Sequence, residues 1–164
     1  MMNHPMTHWS DGKVEPNDLK WRLQPFEQLT PHALYALMRL RVDVFVVEQN
    51  CPYPELDGAD ELAQHVQGFS ADGLVAYARI LPPDEQQKVW IGRVVVAAPA
   101  RRTGAGRALM LTALQWAQNA YPQLPVWLGA QVSSQAFYEG LGFKVAGEPY
   151  LEDDIPHVPM SMPV

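Results

Sequence analysis

Residues 19–164 read as an α/β (α+β) domain, a mixed central sheet with helices on both faces. Three observations predict this. Strand-like and helix-like segments follow one another in the order β-α-(loop/α)-β-β-β-α-β-α-β, which suits a sheet covered on both sides. The run Ile91–Arg107, IGRVVVAAPARRTGAGR, passes from a β-branched strand through a glycine-containing turn into a helical pattern. Of the 164 residues, 48% are apolar and 18% charged, enough to build a core for such a sheet.

Residues 1–18 are polar and aperiodic, and are expected to form a flexible N-terminal extension to this single domain. Leu19–Gln24 is a first strand. Thr30-Pro31 opens a helix, with a hydroxyl N-cap followed by proline at the first helical position. Leu34, Leu37, Met38 and Arg41 then recur at helical spacing. Glu48–Ala63 is an acidic loop rich in Pro and Gly with room for a short helix. His65–Ser70 and Leu74–Leu81 flank Ala71-Asp72-Gly73 and form a hairpin, and Val89–Ala97 is a third strand of that sheet. Gly104–Ala120 is a helix with Ala105, Leu109, Ala113, Trp116 and Ala117 on one face, stopped by Pro122. Pro125–Ala130 is a buried strand and Ser133–Leu141 a helix. Phe143–Gly147 and Val158–Met162 are late strands.

Composition excludes several function classes. A net charge of −6 argues against a general nucleic-acid binder. No apolar run reaches the roughly 18–20 residues of a membrane span, and the N-terminus lacks a secretory layout. Cys51 is the sole cysteine, so no intrachain disulfide forms and a reduced, cytoplasmic setting fits. Its neighbours, Asn50, Pro52 and Tyr53, offer nothing to lower its pKa, which favours packing over nucleophilic work. Five histidines and one cysteine show no ligand spacing, so no metal is expected.

The strand–turn–helix at Ile91–Arg107 aims free backbone N–H groups at one point, and Arg101, Arg102 and Arg107 add positive charge beside it. A phosphate-bearing ligand is therefore expected. A nucleoside-triphosphate loop would need Lys after the last glycine, and Arg107 stands there. A dinucleotide fingerprint would need a third glycine at Leu109. The remaining pattern, Gln/Arg-x-x-Gly-x-Gly/Ala, is met by Arg101, Gly104 and Gly106. A plain strand-to-helix turn relieved by glycine would read the same way.

This loop resembles the pyrophosphate loop of the GCN5-related N-acetyltransferase (GNAT) superfamily. Further along, Phe137-Tyr138-Glu139-Gly140-Leu141-Gly142-Phe143 resembles that superfamily's Tyr-Glu-x-x-Gly-Phe block. A narrower resemblance, to the ElaA-like subgroup, spans roughly Leu34 to Met160. It rests on Phe45–Tyr53, Asp57-Gly58, Asp60, Ala76–Arg79, Ile91–Val94, Leu128–Gln131 and Glu152–His157. The chain departs from the subgroup at Ser133-Ser134, where His-Leu is expected.

The resemblance implies a mostly antiparallel GNAT sheet and acetyl-CoA as co-substrate, with acetyl transfer to a primary amine by direct attack. It places the coenzyme on Arg101, Arg102, Thr103, Gly104, Ala105, Gly106 and Arg107, with the pantetheine arm along Val94, Val95 and Val96. Gln131 and Ser134 stand where the family more often has Asn and Ala contacting the coenzyme. Tyr138 takes the place of the general acid for the departing thiolate. A small-molecule or peptide acceptor is implied, with no nucleic acid and no membrane, and a homodimer is compatible.

The base is left open among Glu48, His65, His157 and a water chain. Glu48 follows the apolar run Val44–Val47, so partial burial would raise its pKa; a surface helix charge reads equally well. His65 also fits a strand histidine satisfied by a neighbour. Arg79 and Arg93 lie in otherwise apolar strands, where an unpaired Arg is expensive. They are expected to face the cleft and pair with the acidic loops, as acceptor contacts together with Asp57 and His157, or equally to hold an internal salt bridge that orients the sheet. Acidic clusters at Glu48/Glu55/Asp57/Asp60 and Glu152–Asp154 would gather a cationic amine, or are simply solvated loops. Two rival readings remain: a coenzyme-A sensor or scaffold that transfers nothing, and a nucleotide-binding domain.

Overall fold

The computed structural model describes residues 18–164. The expected N-terminal extension lies outside the described residues, apart from Asp18. Eight strands form one sheet: β1 (Lys20–Pro25), β2 (Gln64–Ser70), β3 (Gly73–Leu81), β4 (Val89–Val96), β5 (Val126–Gln131), β6 (Lys144–Val145), β7 (Tyr150–Glu152) and β8 (Ile155–Met162). Their spatial order is β1-β2-β3-β4-β5-β8-β6, with β7 paired to β8. Every pairing is antiparallel except β4 with β5.

Helices cover both faces. α1 (Pro31–Arg41) starts as expected, with the Thr30 hydroxyl accepting from the Ala33 N–H at 3.1 Å and Pro31 at the first position. α2 (Ala105–Ala120) buries Leu109, Met110, Ala113, Leu114 and Ala117 on the sheet face that also carries Val66, Ala76, Ala78 and Ile80. α1 sends Leu37 and Leu40 to the opposite face, onto Val75, Tyr77 and Val95. The alternation of Val75, Ala76, Tyr77 and Ala78 along β3 is thus a strand buried on both sides.

Three local features differ from expectation. The α1 path does not end at Arg41 but continues as a π-helical turn over Val42–Glu48, a form associated with functional positions. α3 (Gln135–Glu139) is shorter than expected, because Val132–Ser134 form a tight 3₁₀ turn first. It ends at Glu139, and Gly142, whose φ of +102° suits glycine, then turns the chain into Phe143. Finally, Glu152–Asp154 are not a free loop. β7 and β8 make a hairpin with Glu152 opposite Ile155, joined by Asp153 and Asp154 at φ of +50° and +61°. Two residues with positive φ match the twist of the flanking strands.

Between β4 and β5 the sheet opens. These strands pair only at Val89↔Val126 and Trp90↔Trp127. Beyond that point β4 leans toward β3 and β5 toward β8, leaving a wedge-shaped gap. β4 also carries a bulge. Tyr77 faces Val95 and Arg79 faces Gly92, so Arg93 and Val94 together oppose Ala78, and Arg93 takes a φ of +52°. The bulge re-aims the Arg93 side chain.

Candidate active site

The gap opens into a groove of about 1150 Å³ that runs from the start of α2 to the β7–β8 hairpin. At one end lies the turn into α2. Gly104, at φ +90°, begins this helix and offers no capping side chain. The first intrahelical bond comes from Ala108 N–H to the Gly104 carbonyl at 3.0 Å. The amides of Ala105, Gly106 and Arg107 therefore have no intrahelical acceptor, and the helix dipole favours an anion there. A Cβ at Gly106 would meet Phe137 and Val96 at 3.6 and 3.7 Å. The chain itself thus tolerates a methyl at that position.

Tyr138 lines the groove. α3 carries it, and its ring is held edge-on by Phe137 at 5.0 Å and Phe143 at 6.1 Å. Its hydroxyl has no hydrogen-bond partner among the described residues, yet it is not sealed in the core. Burial pushes the phenol up to about 12. It is a protonated group at any physiological pH.

Against the groove lies a closed ring of alternating charges, of which Glu55, Arg79 and Arg93 line it. Arg41 Nε donates to Glu55 at 2.8 Å and Arg41 Nη1 to Asp60 at 2.6 Å. Asp60 also accepts from Arg79 at 3.0 Å, and Arg79 forks onto Asp57. Arg93 closes the circle, 3.4 Å from Asp57 and 2.8 Å from Glu55. Arg41 is fully buried, and its guanidinium lies 5.8 Å over the Tyr77 ring. Arg79 and Arg93 pair with the acidic loop and also line the groove. Arg41 was not singled out in the sequence, because its helical spacing suggested only an apolar face. The Arg79 Nε has no partner among the described residues.

Two carboxylates of the ring titrate below their usual range. At Asp57 the Arg79 hydrogen bonds lower the pKa. At Asp60 burial opposes the shift, but hydrogen bonds from Arg41 and Arg79 overcome it. Their folded pKa values lie below the unfolded value of about 3.9. The stability they contribute is therefore complete above that value and lost as pH falls through the folded values. Acid titration followed by far-UV circular dichroism should show unfolding below pH of about 4, with a shallower pH dependence in Asp57→Asn. An identical acid profile in the variant would remove the ring from the account of stability.

The structure brings together Tyr138, Glu48, Val94, Val95, Val96, Arg101, Arg102, Gly104, Gly106, Arg107, Gln131, Ser134, Arg79, Arg93 and His157 along one groove. Four candidates fall elsewhere. Ala105 is buried, and the Thr103 hydroxyl is occupied by the Ala100 carbonyl at 2.6 Å, so each offers only its backbone. Asp57 is exposed but outside the groove lining, and is committed to Arg79. His65 is a correction. It is fully buried, with Nε2–H donating to the Asp60 carbonyl at 2.9 Å and Nδ1 accepting from the Tyr77 hydroxyl at 2.7 Å. Burial lowers its pKa, so it is a neutral structural histidine.

Glu48 is the second correction. Arg101 clamps it with bonds of 2.9 and 2.6 Å. These hydrogen bonds hold the carboxyl below, not above, its usual value. The same guanidinium donates from Nε to the Val96 carbonyl at 2.9 Å, bridging the groove. Cys51, half-buried, lines the groove with its thiol 3.5 Å from the Asp153 carbonyl. Desolvation and the carboxylates of Asp153, Asp154 and Glu55 push its thiol up, which keeps it a poor nucleophile.

Among the described residues no group of His, Cys, Asp and Glu is arranged to hold a metal ion, and no helix is long and apolar enough to cross a membrane.

Comparisons with known proteins agree with this fold. The family model described as "Acetyltransferase (GNAT) domain" matches residues 41–164. Protein ElaA of Escherichia coli is 44% identical over 149 residues, covering 89% of this chain and 97% of its own. The crystal structure of an acyl-CoA N-acyltransferase from Pseudomonas aeruginosa superimposes with a TM-score of 0.83 at 45% identity, over 88% of this chain and 99% of that one. A GNAT acetyltransferase of Elizabethkingia anophelis with acetyl-CoA bound shares the fold, at 14% identity and a TM-score of 0.62 over 90% of this chain and 99% of that one. An opened sheet, a glycine-led helix start and a tyrosine lining the groove thus occur in a chain that belongs to the GNAT acetyltransferase superfamily, in its ElaA-like subgroup, and that is an acyltransferase.

Proposed function

We propose that the protein transfers an acetyl group from acetyl-CoA to a primary amine by direct attack, with Tyr138 as general acid. The observation that carries this reading is the unpartnered Tyr138 hydroxyl, facing the groove where β4 and β5 part. The acetyl-CoA bound in the Elizabethkingia relative supports the choice of donor.

The diphosphate lies on the backbone amides of Arg102–Arg107, flanked by Arg102 and Arg107. Arg101 turns from Glu48 and Val96 toward the phosphates as the coenzyme enters. The pantetheine arm follows Val94–Val96, whose backbone past Trp90 has no β5 partner. Gln131 and Ser134 border the coenzyme on the other side. Backbone N–H groups of β4 steady the oxyanion as the amine attacks.

The acceptor enters from the β7–β8 end and is cationic. The ring there is neutral, three arginines against three carboxylates. Glu152 and Asp153 therefore set the sign of the field at that mouth.

Tyr138→Phe removes the acid and leaves the ring packing. A loss in kcat of about 100-fold or more is expected, with acetyl-CoA affinity and thermal stability close to the parent. No rate change from ionisation of Tyr138 should appear up to pH 10, since its pKa is about 12. Undiminished turnover across pH would eliminate the acid role. Coenzyme binding without thiol release on a broad amine panel would assign a coenzyme-A sensor instead.

A further inference from the structure

We infer that His157 is the base that takes the proton of the acceptor amine, with Glu152 and Tyr150 as its positioning residues. This rests on the amine-transfer reading above and supplies the group that reading lacks.

The Nδ1 of His157 lies 2.7 Å from the Ile155 carbonyl. A carbonyl only accepts, so Nδ1 carries hydrogen whether the ring is neutral or charged. The neutral ring must therefore present its lone pair at Nε2. That nitrogen makes no hydrogen bond to the protein among the described residues; it faces Glu152 Oε2 at 3.5 Å. The arrangement suits a base: the lone pair is free before proton transfer, and a carboxylate stands ready for the imidazolium formed by it. The side chain is about one-tenth exposed, and that exposure is to the groove.

The ring is also held in place. Tyr150 stacks on it at 5.7 Å and 27°. The Tyr150 hydroxyl occupies the space a Cβ at position 129 would need, so Gly129 permits the stack. Across the β5–β8 pairing, His157 stands opposite Gln131, the residue before the turn that leads into α3 and Tyr138. Base and acid thus border one gap from adjoining elements. The titratable groups around the ring are Tyr150 and Glu152 on β7 and Asp153 and Asp154 in the turn. Asp154 is engaged by Tyr53, and Cys51 lies against the Asp153 carbonyl. On the β5 side stands neutral Gln131.

In the step, Nε2 of His157 accepts one proton from the ammonium. The neutral amine adds to the thioester carbon, forming C–N, and C–S then breaks. The departing thiolate takes the Tyr138 proton. The second amine proton, lost from the nascent amide, returns to Tyr138 through solvent, and the imidazolium releases its proton to bulk.

The test pairs alkylamines, headed by cadaverine, with isosteric aminooxy analogues whose attacking nitrogen is uncharged at neutral pH. His157→Gln should lose about 100-fold in kcat/KM on the alkylamine and no more than about 3-fold on the aminooxy partner. Glu152→Gln should show the same selectivity with a smaller loss. Equal losses on both nucleophiles would overturn the base role, because a merely structural defect cannot tell them apart. Long-range ¹H–¹⁵N NMR of the intact protein gives a readout independent of turnover. The neutral His157 ring should be the Nδ1–H tautomer, and the Nε2–H tautomer would overturn the inference. A wild-type protein that binds acetyl-CoA but acetylates no amine would overturn the transfer reading itself, and the base role with it.

Discussion

Arg41→Met is expected to cost about 3–5 kcal/mol of stability, because it leaves Glu55 and Asp60 buried without one of their cations. For a domain of this size that is a fall in melting temperature of roughly 6–20 °C, measured by calorimetry. The loss is far above that of a surface ion pair because Arg41 has no solvent to retreat to. Arg41→Met combined with Asp60→Asn should recover part of it, since the second change removes a charge the first left unpaired. A shift below about 2 °C for the single variant would mean that the ring does not hold the acidic loop. Activity should fall too, because Arg79 and Arg93, in the same ring, line the groove.

Gly106→Val should weaken acetyl-CoA binding at least about tenfold, or 1.4 kcal/mol, while leaving the fold intact. The Cβ at this position meets Phe137 and Val96 only at ordinary contact distance. A valine in the first helical turn is no worse than glycine for helix formation. The added methyls enter the approach to the free amides of Ala105–Arg107, where bare backbone is needed if phosphate oxygens are to come close. Isothermal calorimetry at fixed ionic strength reads the effect, with the melting temperature of the free protein as the control. An unchanged dissociation constant would place the diphosphate elsewhere.

How far the sequence disclosed this molecule depends on which signals are local. Thr30-Pro31, the hairpin around Ala71-Asp72 and the α2 register all followed from neighbouring residues, and the structure has them within a residue or two. The groove was legible because two short motifs, Arg101–Gly106 and Phe137–Phe143, carry a resemblance that composition alone would not supply. The ring was half legible. Arginines among apolar strand residues signalled buried pairing, yet Arg41 sat in a helical pattern that looked apolar. The bulge that re-aims Arg93 has no marker in its own residues. The β7–β8 hairpin was hidden because Asp153-Asp154 is not the Asn-Gly or Asp-Gly pair that announces such turns. Glu48 and His65 show the same limit. Their neighbours in sequence left a base or a plain structural role open, and the partners in space that decide it, Arg101 for one and Tyr77 with Asp60 for the other, lie in other elements.

A crystal structure of the complex with acetyl-CoA tests the central claim most directly. The account predicts diphosphate oxygens within hydrogen-bonding distance of the amides of Arg102–Arg107, the pantetheine arm along Val94–Val96 in the gap between β4 and β5, and the sulfur beside the Tyr138 hydroxyl. A coenzyme bound with its diphosphate away from the start of α2, or with its sulfur outside the gap, would contradict it.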